Sequence, residues 1–127
     1  MIVLDASAAL SGLLNAGPAR RLMAAEQLHA PHLIDFEVTS GLRRHVMSGQ
    51  LPPDLGRSAL GVWRRLGLTR YAGSGLLERV WELRDNLSVY DAGYVALAES
   101  FGCTLVTADA RLSRAPGLRC PVTVLPR

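Results

Sequence analysis

Four carboxylates stand out by where they fall along the chain: Asp5 in VLDASAAL, Glu37 in FEVTSGLRR, Asp91 in YDAGYVALAES and Asp109 in LVTADARL. Taken singly, Asp5, Asp91 and Asp109 each suit a helix N-terminus, where an acidic cap contributes about 0.5–2 kcal/mol. Glu37 alone suits a solvated helix face. Taken together they suit different chemistry. Carboxylates about 5 Å apart repel by roughly 3 kcal/mol per pair at an effective dielectric near 20, and a cap does not offset several such terms. A hard divalent cation does, because Mg2+ and Mn2+ prefer oxygen ligands and keep waters for reaction. Asp35 competes with Glu37 for a place in the set, but two residues apart on a helix they point to different faces.

The remaining residues narrow the chemistry. All fourteen basic residues are arginine and lysine is absent. A phosphate-binding P-loop needs its lysine, and phosphoaspartate receivers and haloacid-dehalogenase-type phosphatases normally use one. His29 and His32 flank Ala30-Pro31 without the partners a zinc site needs. Cys103 and Cys120 form no CxxC and read as small buried hydrophobes.

The elements that must position the acids follow from apolar periodicity. Residues 2–4 form a short buried strand that runs directly into Asp5, and helices are expected over 6–15 and 18–27. A strand over 28–30 closes at Pro31. A longer helix over 32–48 repeats Ile34, Val38, Leu42 and Val46 on one face. Pro52-Pro53 introduces a helix over 53–65, followed by a strand over 68–71 and a helix over 76–84. A helix over 90–101 ends at Gly102. Strands at 105–106 and 122–125 flank a helical turn over 109–113. Both Trp63 and Trp81 are expected in the core. Short β-branched strands alternating with helices predict a three-layer α/β/α fold with a mainly parallel sheet of four to five strands. Such sheets bind ligands at the carboxyl ends of their strands. Asp5 and Asp109 leave that edge, and Asp91 and Glu37 sit in first helical turns able to lean over it.

The order of these four acids, each in its own segment, resembles the PIN-domain nucleases, and more narrowly the VapC-type toxins of bacterial type II toxin–antitoxin pairs. The likeness runs from Met1 to the last strand, so residues 1–127 are expected to be a single PIN domain. The resemblance implies that Asp5, Glu37, Asp91 and Asp109 form a catalytic pocket binding Mg2+ or Mn2+. Thr107 matches a hydroxyl residue preceding the last acid by two, and Ser7 and Asn86 match polar positions nearby. It also implies an RNA substrate, a VapB-like antitoxin partner, and a homodimer or toxin–antitoxin hetero-oligomer. Two other readings remain open at this point: a catalytically silent PIN-like module binding RNA or a partner, and a metal-dependent phosphohydrolase of small phosphate esters.

Charge and length agree with a nucleic-acid partner. The 127-residue chain suits one domain. Its net charge is +3 with all eleven acids counted, so the surface outside the four-acid pocket is more basic still. Arg43, Arg44, Arg111 and Arg114 are candidates for phosphate contacts, which position RNA without reading its sequence. The longest apolar runs fall well short of the roughly 20 residues of a membrane helix, and no secretory signal pattern opens the chain. A cytoplasmic protein without membrane association is expected.

Overall fold

The computed structural model describes residues 1–126. Its strands are β1 (Ile2–Leu4), β2 (Leu28–Pro31), β3 (Leu68–Tyr71), β4 (Thr104–Thr107) and β5 (Val122–Val124). They form one sheet of order β3-β2-β1-β4-β5 in which every neighbouring pair is parallel. Helices α1 (Ala6–Leu14), α2 (Pro18–Ala25), α3 (Ile34–Met47) and α4 (Pro53–Arg65) pack on one another. Helix α5 (Leu77–Glu82) packs on α6 (Val89–Phe101), and α6 lies across β1, β2 and β4. The short α7 (Ala110–Ser113) packs against β5. Among the described residues no helix is long and apolar enough to cross a membrane.

The expected α/β/α architecture is therefore present, with five strands. Element boundaries differ from expectation by one to a few residues, and the reasons are local. Helix α1 starts at Ala6 because the Asp5 carboxylate accepts the Ala8 amide hydrogen. Helix α6 starts one residue earlier than its periodicity predicts, because the Ser88 hydroxyl caps the Asp91 amide. It ends at Gly102, the one left-handed helix-terminal position on α6 (φ 61°). The helix expected over 76–84 is shorter, a 3-10 turn at Ser74–Leu76 running into α5.

The core confirms Trp63, which is almost fully buried, and corrects Trp81. Trp81 is 65% exposed, and Arg84 lies over its ring at 4.6 Å. A helix of six residues with a single buried side chain, Val80, has no room to bury a second large group on its other face. Glycine permits close helix approach at Gly41, where a Cβ would lie 2.2 Å from Leu10 Cδ1 on α1.

The orientation of α3 depends on Asp35. Its Oδ1 accepts from Trp63 Nε1 on α4 (2.8 Å) and from Arg70 Nη2 on β3 (2.9 Å), and its Oδ2 accepts from Arg70 Nε (2.7 Å). The Arg70 guanidinium holds the Asp35 carboxyl below its usual range. This settles the competition with Glu37: Asp35 ties three elements together, away from the other acids. Asp35→Ala should cost about 1–2 kcal/mol by chemical denaturation, at the modest end for charge-assisted bonds because the side chain is 39% exposed. The contribution is present above the unfolded carboxyl pKa and fades as pH falls through the lowered folded one. An unchanged midpoint at neutral pH would refute this role.

Candidate active site

Strand β1 is central, and the chain builds β2 and β3 on one side of it before crossing to β4 and β5 on the other. The carboxyl ends of β1 and β4 therefore flank the switch point of the sheet, the place where parallel α/β folds open a crevice. Asp5 leaves β1 there and Asp109 leaves β4.

Asp5 is 6% exposed. Its Oδ1 accepts from the Ser7 hydroxyl (2.7 Å) and the Ala8 amide (2.9 Å), and its Oδ2 accepts from the Thr107 hydroxyl (2.5 Å). Thr107 is fully buried and its oxygen also accepts from the Asp109 amide (3.0 Å). Ser7 Oγ accepts from the Ala108 amide (2.9 Å) and lies 3.1 Å from Thr107 Oγ1. Two hydroxyls thus stitch the end of β1 to the end of β4. Both had been anticipated as auxiliary groups, and both lie beside the acids. Asn86 does not. Its amide donates to Pro116 O (3.0 Å), pinning the segment after α7.

Glu37 reaches the same place from α3. Its Oε1 accepts from the Tyr94 hydroxyl (2.6 Å) on α6. Tyr94 was missed by the sequence reading, although the signal existed: it lies three residues after Asp91, hence on the same helix face. Burial, with the Glu37 carboxylate beside it, pushes the Tyr94 hydroxyl pKa far up, so it remains a donor.

The acids sense one another. Burial raises the Asp5 pKa against its three hydrogen bonds, and the Asp91 charge raises it further. Burial raises Glu37, with added repulsion from Asp91 and Asp5. Burial raises Asp91, with added repulsion from Asp109. All four carboxylates are linked by these repulsions. Asp109 is engaged by Arg111, whose Nε and Nη2 donate to its two oxygens at 3.1 and 2.8 Å. Arg111 is 84% exposed on its side chain, so this pair is readily exchanged.

The donor set tests the implied metal. It consists of hard carboxylate oxygens alone, and the raised carboxyl pKa values of Asp5, Glu37 and Asp91 mark sites that a cation would favour. As the side chains stand, no group of three His, Cys, Asp or Glu among the described residues is gathered closely enough to hold an ion. Glu37 is turned onto Tyr94 and Asp109 onto Arg111. The residue types fit Mg2+ or Mn2+, and closing the set would require Asp109 to turn from Arg111 while Glu37 keeps its Tyr94 bond through Oε1. A cleft of about 400 Å3 opens beside the acids between α1 and α3, and Glu37, Ser7 and Arg44 are in its wall. Arg43 is exposed on α3 but does not line it, and Arg114 is exposed at the end of α7.

A parallel α/β/α domain with carboxylates gathered at the switch point of its sheet is the plan of an acid-cluster nuclease. Residues 2–118 match the PIN domain family model. A VapC ribonuclease of Mycobacterium bovis and the VapC9 ribonuclease of Mycobacterium tuberculosis are each 61% identical over 127 residues, covering all of both chains. The VapC1 ribonuclease of M. tuberculosis is 40% identical, covering 97% of this chain and 96% of that one. Among solved structures, M. tuberculosis VapC20 superposes with a TM-score of 0.65 at 21% identity, covering 90% of this chain and 94% of that one. VapBC2 from Rickettsia felis gives 0.68 at 16% identity, covering 98% of each. These two structures share the fold. The chain belongs to the PIN-domain family and, within it, to the VapC ribonucleases.

The raised carboxyl pKa values have a sign that can be checked. Each of Asp5, Glu37 and Asp91 takes up a proton more readily folded than unfolded, so ionisation costs stability. That cost is absent below the unfolded pKa and grows as pH rises through the raised folded one. In chelator, Asp91→Asn should melt higher than wild type at pH 7, and the two should converge as pH falls below the ordinary carboxyl range. Equal melting temperatures at pH 7 would remove the case for a repulsive cluster.

Proposed function

We propose that the chain, residues 1–127 as one PIN domain, is the toxin of a type II toxin–antitoxin system acting as a Mg2+- or Mn2+-dependent endoribonuclease. The observation that carries this reading is the linkage of four carboxylates at the switch point of the sheet, in a chain 61% identical to VapC ribonucleases. Asp5, Glu37, Asp91 and Asp109 are the residues assigned to the ion. Bound there, the ion supplies a water of lowered pKa and neutralises charge on the phosphoryl oxygens.

The chain's own residues do the positioning. Thr107 and Ser7 fix the Asp5 carboxylate from two sides and leave it one rotameric choice. Tyr94 fixes Glu37. Arg111, released from Asp109, is placed to meet an incoming phosphate, and Arg43, Arg44 and Arg114 add to the basic surround. Water adds to phosphorus in line with the departing ribose 3′-oxygen, so the fragments carry 5′-phosphate and 3′-hydroxyl ends. The ribose 2′-hydroxyl takes no part as nucleophile.

The partners follow from the family. A cytoplasmic ribonuclease needs restraint, and a VapB-like antitoxin supplies it, with the toxin as a homodimer or in a toxin–antitoxin hetero-oligomer. A silent RNA-binding module and a phosphohydrolase of small esters are the competing readings, and one experiment separates all three. Wild type expressed without antitoxin should arrest growth, and Asp91→Asn should not. Purified wild type should cut RNA only with Mg2+ or Mn2+, leaving 5′-phosphate ends. RNA binding without cleavage would support the silent module, turnover of a generic phosphate ester alone would support the other hydrolase, and 2′,3′-cyclic ends would overturn the mechanism.

A second expectation concerns Tyr94. Tyr94→Phe keeps the ring and removes the donor, so it should lower kcat about tenfold or more at constant fold, with KM for RNA little changed. A kcat equal to wild type would show that the Glu37 contact is dispensable.

A further inference from the structure

We propose that the cleft between α1 and α3 seats the single-stranded nucleotide flanking the scissile linkage, with Arg44 binding the outer phosphate of that nucleotide; this rests on the ribonuclease reading above. The cleft is continuous with the acid cluster, because Ser7 and Glu37 are shared by both. Its volume of about 400 Å3 falls within the roughly 300–1,000 Å3 of small-ligand clefts, which suits one nucleotide and not a duplex.

The chemistry changes along its length in the way a nucleotide does. The inner end carries the Glu37 carboxylate, on the side of the scissile phosphate. The middle offers Ser11 and Ser40 hydroxyls, which both donate and accept, and so match a ribose 2′-hydroxyl. Leu10 and Leu14 give one wall an apolar stretch for a base or sugar face. The outer end carries Arg44, whose Nη1 donates to Ser40 Oγ at 3.2 Å. Seven residues separate Glu37 from Arg44, two helical turns, so both lie on one face of α3 about 10 Å apart along its axis. The Arg44 guanidinium here bends back over Ser40, close enough for the Glu37 carboxyl to feel its charge, and extended along the cleft it reaches a phosphate neighbouring the scissile one. Arg43, one residue earlier, is turned off the cleft by the same periodicity.

The proposal separates one arginine from a general basic surface. A short single-stranded RNA of mixed sequence is titrated by fluorescence anisotropy in the Asp91→Asn background over a series of salt concentrations. Arg44→Ala should weaken binding about five- to tenfold and reduce the salt slope by about one ion. Arg57→Ala, an exposed arginine on α4 that does not line the cleft, should do much less. In the active background Arg44→Ala should raise KM with kcat nearly unchanged, Arg44→Lys should restore part of the loss, and Ser40→Glu should repeat it by repelling phosphate. Equal effects of Arg44→Ala and Arg57→Ala overturn the proposal. So does intact RNA affinity in Arg44→Ala accompanied by weakened capture of co-expressed antitoxin, which would assign the cleft to a protein segment. If wild type itself cuts no RNA, the ribonuclease reading falls and the cleft with it. If wild type cuts RNA and Arg44→Ala has wild-type KM and salt slope, the cleft alone falls.

Discussion

The structure depends on a carboxyl group buried at the end of its central strand. Asp5 sits with little solvent, and burial works against its charge. Three donors offset part of that cost: a helix amide, the Ser7 hydroxyl and the Thr107 hydroxyl. Each donor fixes something else in turn. The amide sets the start of α1, Ser7 catches the Ala108 amide, and Thr107 receives the Asp109 amide. Desolvating one charge has thus been made to align β1, α1, β4 and the turn that carries the last acid. A hydrophobic residue at position 5 would be easier to bury, but those polar groups would lose their common acceptor.

The parallel sheet explains why this arrangement falls where it does. With β1 in the middle, the strands to either side diverge and open the crevice between β1 and β4. Helices supply the other two acids from opposite directions, Glu37 from α3 and Asp91 from α6. Those helices must be held firmly, since an acid a fraction of an ångström out of place is a poor ligand. Helix α3 is held by Asp35 through Trp63 and Arg70, and Tyr94 joins it to α6 through Glu37. Asp35 and Glu37, two residues apart on one helix, therefore meet different surroundings: Asp35 ties α3 to α4 and β3, and Glu37 faces the other acids.

Much of this was legible in the chain. The strand-to-acid junction at Asp5 and the helix spacing around Asp91 followed from periodicity, and the sheet edge followed from strand alternation. Local signals do not reach contacts made across the fold. Nothing near Tyr94 says that its hydroxyl meets a residue 57 positions away, although its spacing from Asp91 places it on the right face. The pairing of Arg111 with Asp109 is local, yet two residues apart it falls outside the spacings that helix rules treat as neighbours. Trp81 misled for a related reason. Its size argued for the core, but the six-residue α5 spends its buried face on Val80 and leaves the indole outside under Arg84.

These contacts also bear on how the site changes state. Asp5 is over-determined by three buried or half-buried bonds, so it does not move. Glu37 is held by Tyr94 on α6, and Asp109 is engaged by the exposed Arg111. A cation that drew in Asp109 would displace only an exposed, solvent-screened ion pair. It would also offset the burial that, with added repulsion between the acids, raises the Asp5, Glu37 and Asp91 carboxyl pKa values. In the proposed site Asp5 would be the rigid ligand and Asp109 the one recruited. Freeing Asp109 also frees the Arg111 guanidinium beside the place where a phosphate would arrive. Metal binding and substrate binding would then support each other through one exchanged ion pair. That coupling requires no movement of the sheet, and it places the adjustable part of the site at the start of α7, a four-residue helix whose Arg111 side chain is exposed.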